Sequence, residues 1–134
     1  MIVGIGTDLC DVRRLEEAAQ RQGERFVARI LGEQERAVFH ERQSANAERG
    51  WRYLASRFAA KEAFAKAIGL GMRDPMNWQD CQVVSNAMGQ PSIALSGELA
   101  GWFAGKGWHA HLSLSDEGHH ALAFVVIDQP FPTV

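Results

Sequence analysis

The chain has 134 residues, 46% hydrophobic and 22% charged, with a formal net charge of −2 at pH 7. That length suits one domain with a real core and is too short for two. The balanced charge gives no reason to expect nucleic acid or an anionic membrane as partner, and no apolar run approaches the roughly 20 residues that span a bilayer. Cys10 and Cys81 are too few for a secreted disulfide scaffold, and Met1-Ile2-Val3-Gly4 has no basic region leading into an apolar core; a reducing, cytoplasmic location is therefore expected.

The β-branched, glycine-spaced opening Ile2-Val3-Gly4-Ile5-Gly6-Thr7-Asp8-Leu9 predicts a strand with close backbone neighbours. Asp11 is placed to cap a helix running through Val12, Leu15, Ala18 and Ala19 to a stop at Gly23. A short helical piece over Phe26–Leu31 follows, and Gly32 with Glu35 at the capping-box position opens another helix. The polar run from Gln43 to Glu48 reads as a loop, and a long helix is expected from about Gly50 to Ile68, broken by Gly69, Gly71, Asp74 and Pro75. Cys81–Ser85 and Ser92–Leu95 read as hairpin strands joined through Asn86-Ala87-Met88-Gly89. Ser96 is expected to cap a short helix through Leu99, Trp102 and Phe103.

From His109 to Ser115 polar and apolar residues alternate; Asp116-Glu117-Gly118 turns the chain, and Ala121–Ile127 reads as a last, buried strand. The order β-ααα-ββ-α-ββ predicts a single α+β domain over residues 1–128 with a mostly antiparallel sheet packed on the long helix. A C-terminal tail over 129–134, containing Pro130-Phe131-Pro132, is expected to follow.

The long helix holds an anomaly. At about 100° per residue, with Trp51 at zero, Glu62 falls near 20°, between Phe58 and Ala55 on the apolar stripe. A carboxylate on a buried face is unfavourable unless it is paired or bound to a cation. Asp8, at the end of the first strand, is the natural companion because Asp11 competes for the helix cap. Two carboxylates brought together make a hard-oxygen site of the kind magnesium takes, completed by water and substrate phosphate. Lys61 and Lys66 flank Glu62 as point charges for phosphate oxygens, and Gly69 and Gly71 leave open backbone just beyond the helix. His109 and His111 with His119 and His120 offer a rival, zinc-type cluster, although their spacing matches no established zinc pattern.

Three segments together resemble the holo-acyl-carrier-protein synthases, small phosphopantetheinyl transferases of bacterial fatty-acid synthesis. They are Gly4-Ile5-Gly6-Thr7-Asp8-Leu9 with Arg14; Arg57-Phe58-Ala59-Ala60-Lys61-Glu62-Ala63 through Lys66-Ala67-Ile68-Gly69-Leu70-Gly71; and His111-Leu112-Ser113-Leu114-Ser115 followed by Ala121-Leu122-Ala123. Gly89-Gln90-Pro91 stands in the place of the family's Gly-Lys-Pro turn, and Asp116 stands where many relatives carry histidine. The resemblance implies transfer of 4′-phosphopantetheine from coenzyme A to a serine of apo-acyl carrier protein, with release of adenosine 3′,5′-bisphosphate. It implies that Asp8 and Glu62 hold Mg2+ and that Lys66, with Lys61, steadies the phosphates near Gly69 and Gly71. Asp116 excludes a histidine base at that position, leaving Glu62 or a water beside Asp8 to take the serine's proton. The resemblance also implies a homotrimer with sites between subunits, and a basic surface of Arg14, Arg21 and Arg25 steering the acidic carrier protein.

Overall fold

The computed structural model describes residues 1–131. β1 (Ile2–Asp11) is followed by four helices, α1 (Val12–Gln22), α2 (Glu24–Ile30), α3 (Glu33–Ala45) and α4 (Ala47–Ala67). The hairpin of β2 (Cys81–Ser85) and β3 (Pro91–Leu95), the short α5 (Gly97–Gly105), and the hairpin of β4 (His109–Glu117) and β5 (His120–Asp128) complete the order. β5 lies between β1 and β4, antiparallel to both, while β2 and β3 form a separate two-stranded sheet. The α+β expectation holds, with α4 laid across β1 and β5 and flanked by α1 and α3.

Local chemistry accounts for the boundaries. Asp11 caps α1 as expected, its Oδ1 accepting from the Arg13 amide at 3.0 Å, and Gly23 ends the helix at φ +76°. At the start of α3, Glu35 accepts from the Gly32 amide at 3.0 Å, the half of a capping box that a glycine permits. The expected loop from Gln43 to Glu48 shrinks to Asn46 alone. Its side chain accepts from the amides of Glu48 (2.9 Å) and Arg49 (3.3 Å), so α4 starts at Ala47, earlier than Gly50. Polar composition misled there because Gln43, Ser44 and Glu48 suit an exposed helical face as well as a loop. Ser96 makes no side-chain bond to α5; its hydroxyl donates instead to Asp80 Oδ1 at 2.9 Å.

Leu54, Phe64, Leu31, Phe39, Leu99 and Ile127 are almost wholly buried around α4, each contributing about 1.5–3 kcal/mol by leaving water. The helix is covered on nearly every side, so its second half is built of alanines: Ala59, Ala60, Ala63, Ala65 and Ala67 are all buried. The other face of the three-stranded sheet is open. Ile5 (61% exposed), Leu9 (64%), Leu122 (42%) and Phe124 (40%) lie on it. After β5, Gln129 is still tied to the chain start, its amide donating to Met1 O at 2.8 Å; residues 132–134 of the expected tail lie outside the described residues.

Candidate active site

Alternate residues of β1, namely Gly4, Gly6, Asp8 and Cys10, face inward, while Ile5, Thr7 and Leu9 face the open side. A Cβ on Gly4 would fall on the carbonyl oxygen of Ala67, and one on Gly6 on that of Ala63. Bare glycine backbone on the strand and alanines on the helix let the two elements meet without intervening side chains. The next inward position on the strand is Asp8, and this close contact delivers it to the side of α4 that carries Glu62 and Lys66.

Lys66 does not bridge back to Glu62 one turn earlier. Its ammonium crosses to β1, donating to Thr7 O at 2.9 Å and Asp8 Oδ1 at 3.3 Å. Asp11, already engaged with the Arg13 amide and guanidinium, leaves Asp8 free of capping duty. Burial pushes the Asp8 carboxyl above its ordinary value against the pull of Lys66 and Arg14. Glu62, half-buried, is likewise raised, first by burial and then by the neighbouring Asp8 charge. Two carboxylates that both resist ionisation, chiefly through burial, with Lys66 bonded to Asp8, form a hard-oxygen donor pair.

The remaining expected residues separate. Lys61 is fully buried and points away: its ammonium donates to Glu35 Oε1 (2.6 Å), Ile30 O (2.6 Å) and Trp78 O (2.8 Å). All three of its protons are used inside the protein, so the expectation that Lys61 reaches phosphate is corrected; one residue along the helix turns it about 100° from Glu62. Gly69 and Gly71 sit at φ +82° and +61° with open space beside them. Their amides close the helix end on Lys66 O and Ala65 O, so they offer close approach to the backbone rather than free donors. Arg14 and Arg21 line a groove of about 300 Å³ floored by Leu15, Phe26 and Phe58, whereas Arg25 is exposed on α2 outside it.

The histidines disperse. Across the β4–β5 ladder His109 stands opposite Asp128 and His120 opposite Glu117, at the two ends of the hairpin. His111 pairs with Asp128 at 2.9 Å. Among the described residues no group of three or more His, Cys, Asp or Glu side chains is arranged to hold a metal ion.

A further feature forms only in the folded chain. A pocket of about 430 Å³ between α4, the β2–β3 turn and the end of β4 is lined by Arg42, Arg49, Arg52 and Arg57, with Tyr53 and Asp116. The Tyr53 ring carries Arg57 at 4.1 Å and Arg42 at 4.9 Å from its centroid. Arg57 is only 8% exposed; it donates to Ser56 Oγ at 3.1 Å, and its Nε has no partner. Burial pushes this guanidinium down from its usual range. Asp116 reaches only Arg52, at 3.9 Å. Arg52 also pairs with Glu48 at 3.1 Å, so Arg42, Arg49 and Arg57 supply the uncompensated charge that makes a site for a multiply charged anion. The signal was the spacing of Arg49, Arg52, Tyr53 and Arg57 along one helix, which reads as surface charge until Arg42 is brought in from α3.

Residues 4–125 match the 4′-phosphopantetheinyl transferase superfamily. A holo-[acyl-carrier-protein] synthase of Methylibium petroleiphilum is 52% identical over 96% of this chain and 97% of its own. The crystal structure of the synthase from Neisseria meningitidis superposes with a TM-score of 0.89 at 38% identity, over 96% of this chain and 100% of that one. The Bacillus anthracis synthase, solved in complex with CoA (3′,5′-ADP), superposes with a TM-score of 0.80 at 33% identity, over 97% and 99% of the two chains. The chain belongs to the 4′-phosphopantetheinyl transferase superfamily. Within it, likeness over nearly the full length places the chain with the holo-acyl-carrier-protein synthases, and its activity class is phosphopantetheinyl transfer.

Proposed function

We propose that this enzyme transfers 4′-phosphopantetheine from coenzyme A to a serine hydroxyl of apo-acyl carrier protein, releasing adenosine 3′,5′-bisphosphate in a Mg2+-dependent reaction that serves fatty-acid synthesis. The observation that carries the reading is that α4 joins two features: the Asp8–Glu62–Lys66 cluster, fit for a cation that would hold a pyrophosphate, and the arginine pocket, fit for an anion. Coenzyme A has a pyrophosphate and a separate ribose phosphate, and a chain with two such features suits it.

Asp8 and Glu62 fit a magnesium ion, being hard oxygen donors that burial makes reluctant to hold negative charge without a cation. When bound, the ion supplies charge neutralisation at the pyrophosphate. Lys66, already directed at Asp8, adds a mobile point charge on the same side. Catalysis then rests on positioning and electrostatic stabilisation, as phosphoryl transfer generally does. The Arg14–Arg21 groove supports docking of the acidic carrier protein, and its floor residue Phe58 lies one turn before Glu62 on α4, leading toward the carboxylates. The buried, unpaired thiols of Cys10 and Cys81 suit a cytoplasmic enzyme, and no helix among the described residues is long and apolar enough to cross a membrane.

The reading includes a homotrimer with sites between subunits. Arg57 and Glu62 are five residues apart on α4, so they diverge by about 140°. A ligand engaging both kinds of feature is best served by the pocket of one subunit and the carboxylates of another. The open apolar sheet face around Ile5, Leu9, Leu122 and Phe124 supplies a surface for such assembly. The decisive experiment is mass spectrometry of apo-acyl carrier protein incubated with coenzyme A and Mg2+. A gain of one phosphopantetheine is expected on its serine; no gain at saturating substrate rules the reading out.

A further inference from the structure

Beneath the arginine pocket lies a buried charge pair that no step of the proposed reaction uses. Lys61 and Glu35 are 0% and 1% exposed and meet at 2.6 Å. Glu35 is fully engaged: Oε1 also accepts from the Gly32 amide at 3.0 Å and Oε2 from the Val83 amide at 2.9 Å. The same carboxylate lines a cavity of about 270 Å³ together with Arg42, Tyr53 and Arg57. A carboxylate and two guanidinium groups therefore share one small space, yet the carboxylate is bonded to Lys61, and Arg57 keeps an Nε without a partner.

We infer that Lys61 is a positioning residue whose ammonium holds and neutralises Glu35, keeping that carboxylate from pairing with Arg57 and so preserving the positive charge of the arginine pocket for an anionic ligand. Replacing a buried ion pair with apolar groups of like shape often leaves stability little changed, whereas removing one partner leaves an uncompensated charge. Without the ammonium, the charge of Glu35 faces Arg57 and Arg42 across their shared cavity and competes with any phosphate for the same guanidinium groups. Arg57 also feels Glu35 electrostatically, a coupling that favours its charged form. Lys61 thus serves the arginine pocket rather than the carboxylate beside which the sequence places it, acting from behind through Glu35.

This inference rests on the arginine pocket binding phosphate groups of coenzyme A, and the test separates the two. The probe is adenosine 3′,5′-bisphosphate, titrated by calorimetry in the presence of a chelator so that the Asp8–Glu62 cluster takes no part. The single tyrosine of the chain, Tyr53, labelled isotopically at Cζ, reports the pocket directly by NMR. If the wild-type protein binds the probe without moving the Tyr53 signal, the assignment of the pocket fails before Lys61 is considered. Given wild-type binding there, Lys61→Met is expected to weaken affinity about tenfold or more, and Lys61→Met with Glu35→Gln to recover most of that loss. Wild-type affinity in Lys61→Met overturns the inference; so does a double variant no better than the single one, and so does an affinity loss that simply follows the fall in folded fraction read by thermal unfolding, the result a merely structural role produces. Should Lys61→Met fail to fold, a crystal structure of the ligand-free wild-type protein decides: Arg57 held apart from Glu35 supports the inference, and Arg57 paired with Glu35 overturns it.

Discussion

Gly6 of β1 lies against the carbonyl oxygen of Ala63 in α4, so close that the strand has no room for a Cβ there. The contact fixes how Asp8, two residues on and on the same face, meets the helix that carries Glu62. Gly6→Ala is expected to push the helix off the strand, destabilising the protein by about 1–3 kcal/mol, the usual range for overpacking. Activity should fall by more than the lost folded fraction explains. Thermal unfolding and specific activity measured on the same preparation check this; a variant of normal stability and turnover would show that the close approach does not set the site.

Removal of charge at Glu62 is expected to divide stability from activity. The native pKa of Glu62 is raised, so the folded state holds a proton more tightly than the unfolded chain. The stability linked to that proton is present in acid, below the ordinary carboxylate range, and is lost as pH climbs through the raised native value. At neutral pH the charged Glu62 therefore opposes folding of the metal-free enzyme. Glu62→Gln should melt at a higher temperature than wild type in chelator, lose the added stabilisation that Mg2+ gives wild type, and turn over at least about 100-fold more slowly. Equal melting temperatures in chelator across neutral pH, or near-normal turnover, would contradict the assignment.

How much of this was legible in the sequence depends on what each signal measured. Asp11, Gly23 and the alternation of β4 follow from local geometry and were readable directly. Glu62 stands out through the helical period, but the structure places it at the edge of the buried face rather than inside it. Lys61 is not legible for a physical reason: a lysine beside a glutamate expected to hold metal suggests an exposed ligand, but its partner Glu35 is 26 residues away on another helix. The arginine pocket was invisible because it forms only when α3, α4, the β2–β3 turn and β4 converge. Periodicity along one element cannot report what three others bring to it.

Arg57 should govern the affinity for coenzyme A more than the rate of the chemical step. A hydrogen bond from a charged donor is worth about 1.5–3 kcal/mol, so Arg57→Gln is expected to raise KM for coenzyme A by about 10–100-fold. The effect on kcat should be smaller, and the dependence of KM on ionic strength should flatten as one cation is lost. Steady-state kinetics over a salt series tests this, and an unchanged KM would remove the pocket from substrate binding.

The Arg14–Arg21 groove, proposed to dock the carrier protein, calls for a different signature. Arg14 and Arg21 are exposed at its rim, where charges act mainly on encounter rate and are screened by salt. Arg14→Glu combined with Arg21→Glu should raise KM for acyl carrier protein by about tenfold or more at low salt, since each charge reversal replaces attraction with repulsion. KM for coenzyme A should stay as it was. Arg25→Glu, outside the groove, is expected to do less. Equal effects at all three positions would point to general charge attraction rather than to this groove.

Phe124 tests assembly. It stands at the centre of the open sheet face, level with Thr7 on β1 and Ser113 on β4, and is 40% exposed in the single chain. An aspartate there leaves the inward-facing core untouched, because the neighbouring Ala123 and Val125 point to the opposite side and stay buried. The isolated subunit should therefore fold, while burying the new charge between subunits without a partner becomes unfavourable by several kcal/mol. Sedimentation is expected to show a trimer for wild type and a monomer for Phe124→Asp. If carboxylates and arginine pocket belong to different subunits in each working site, the monomer loses turnover although all of its own site residues are intact. A monomeric variant with full activity would place the complete site within one chain.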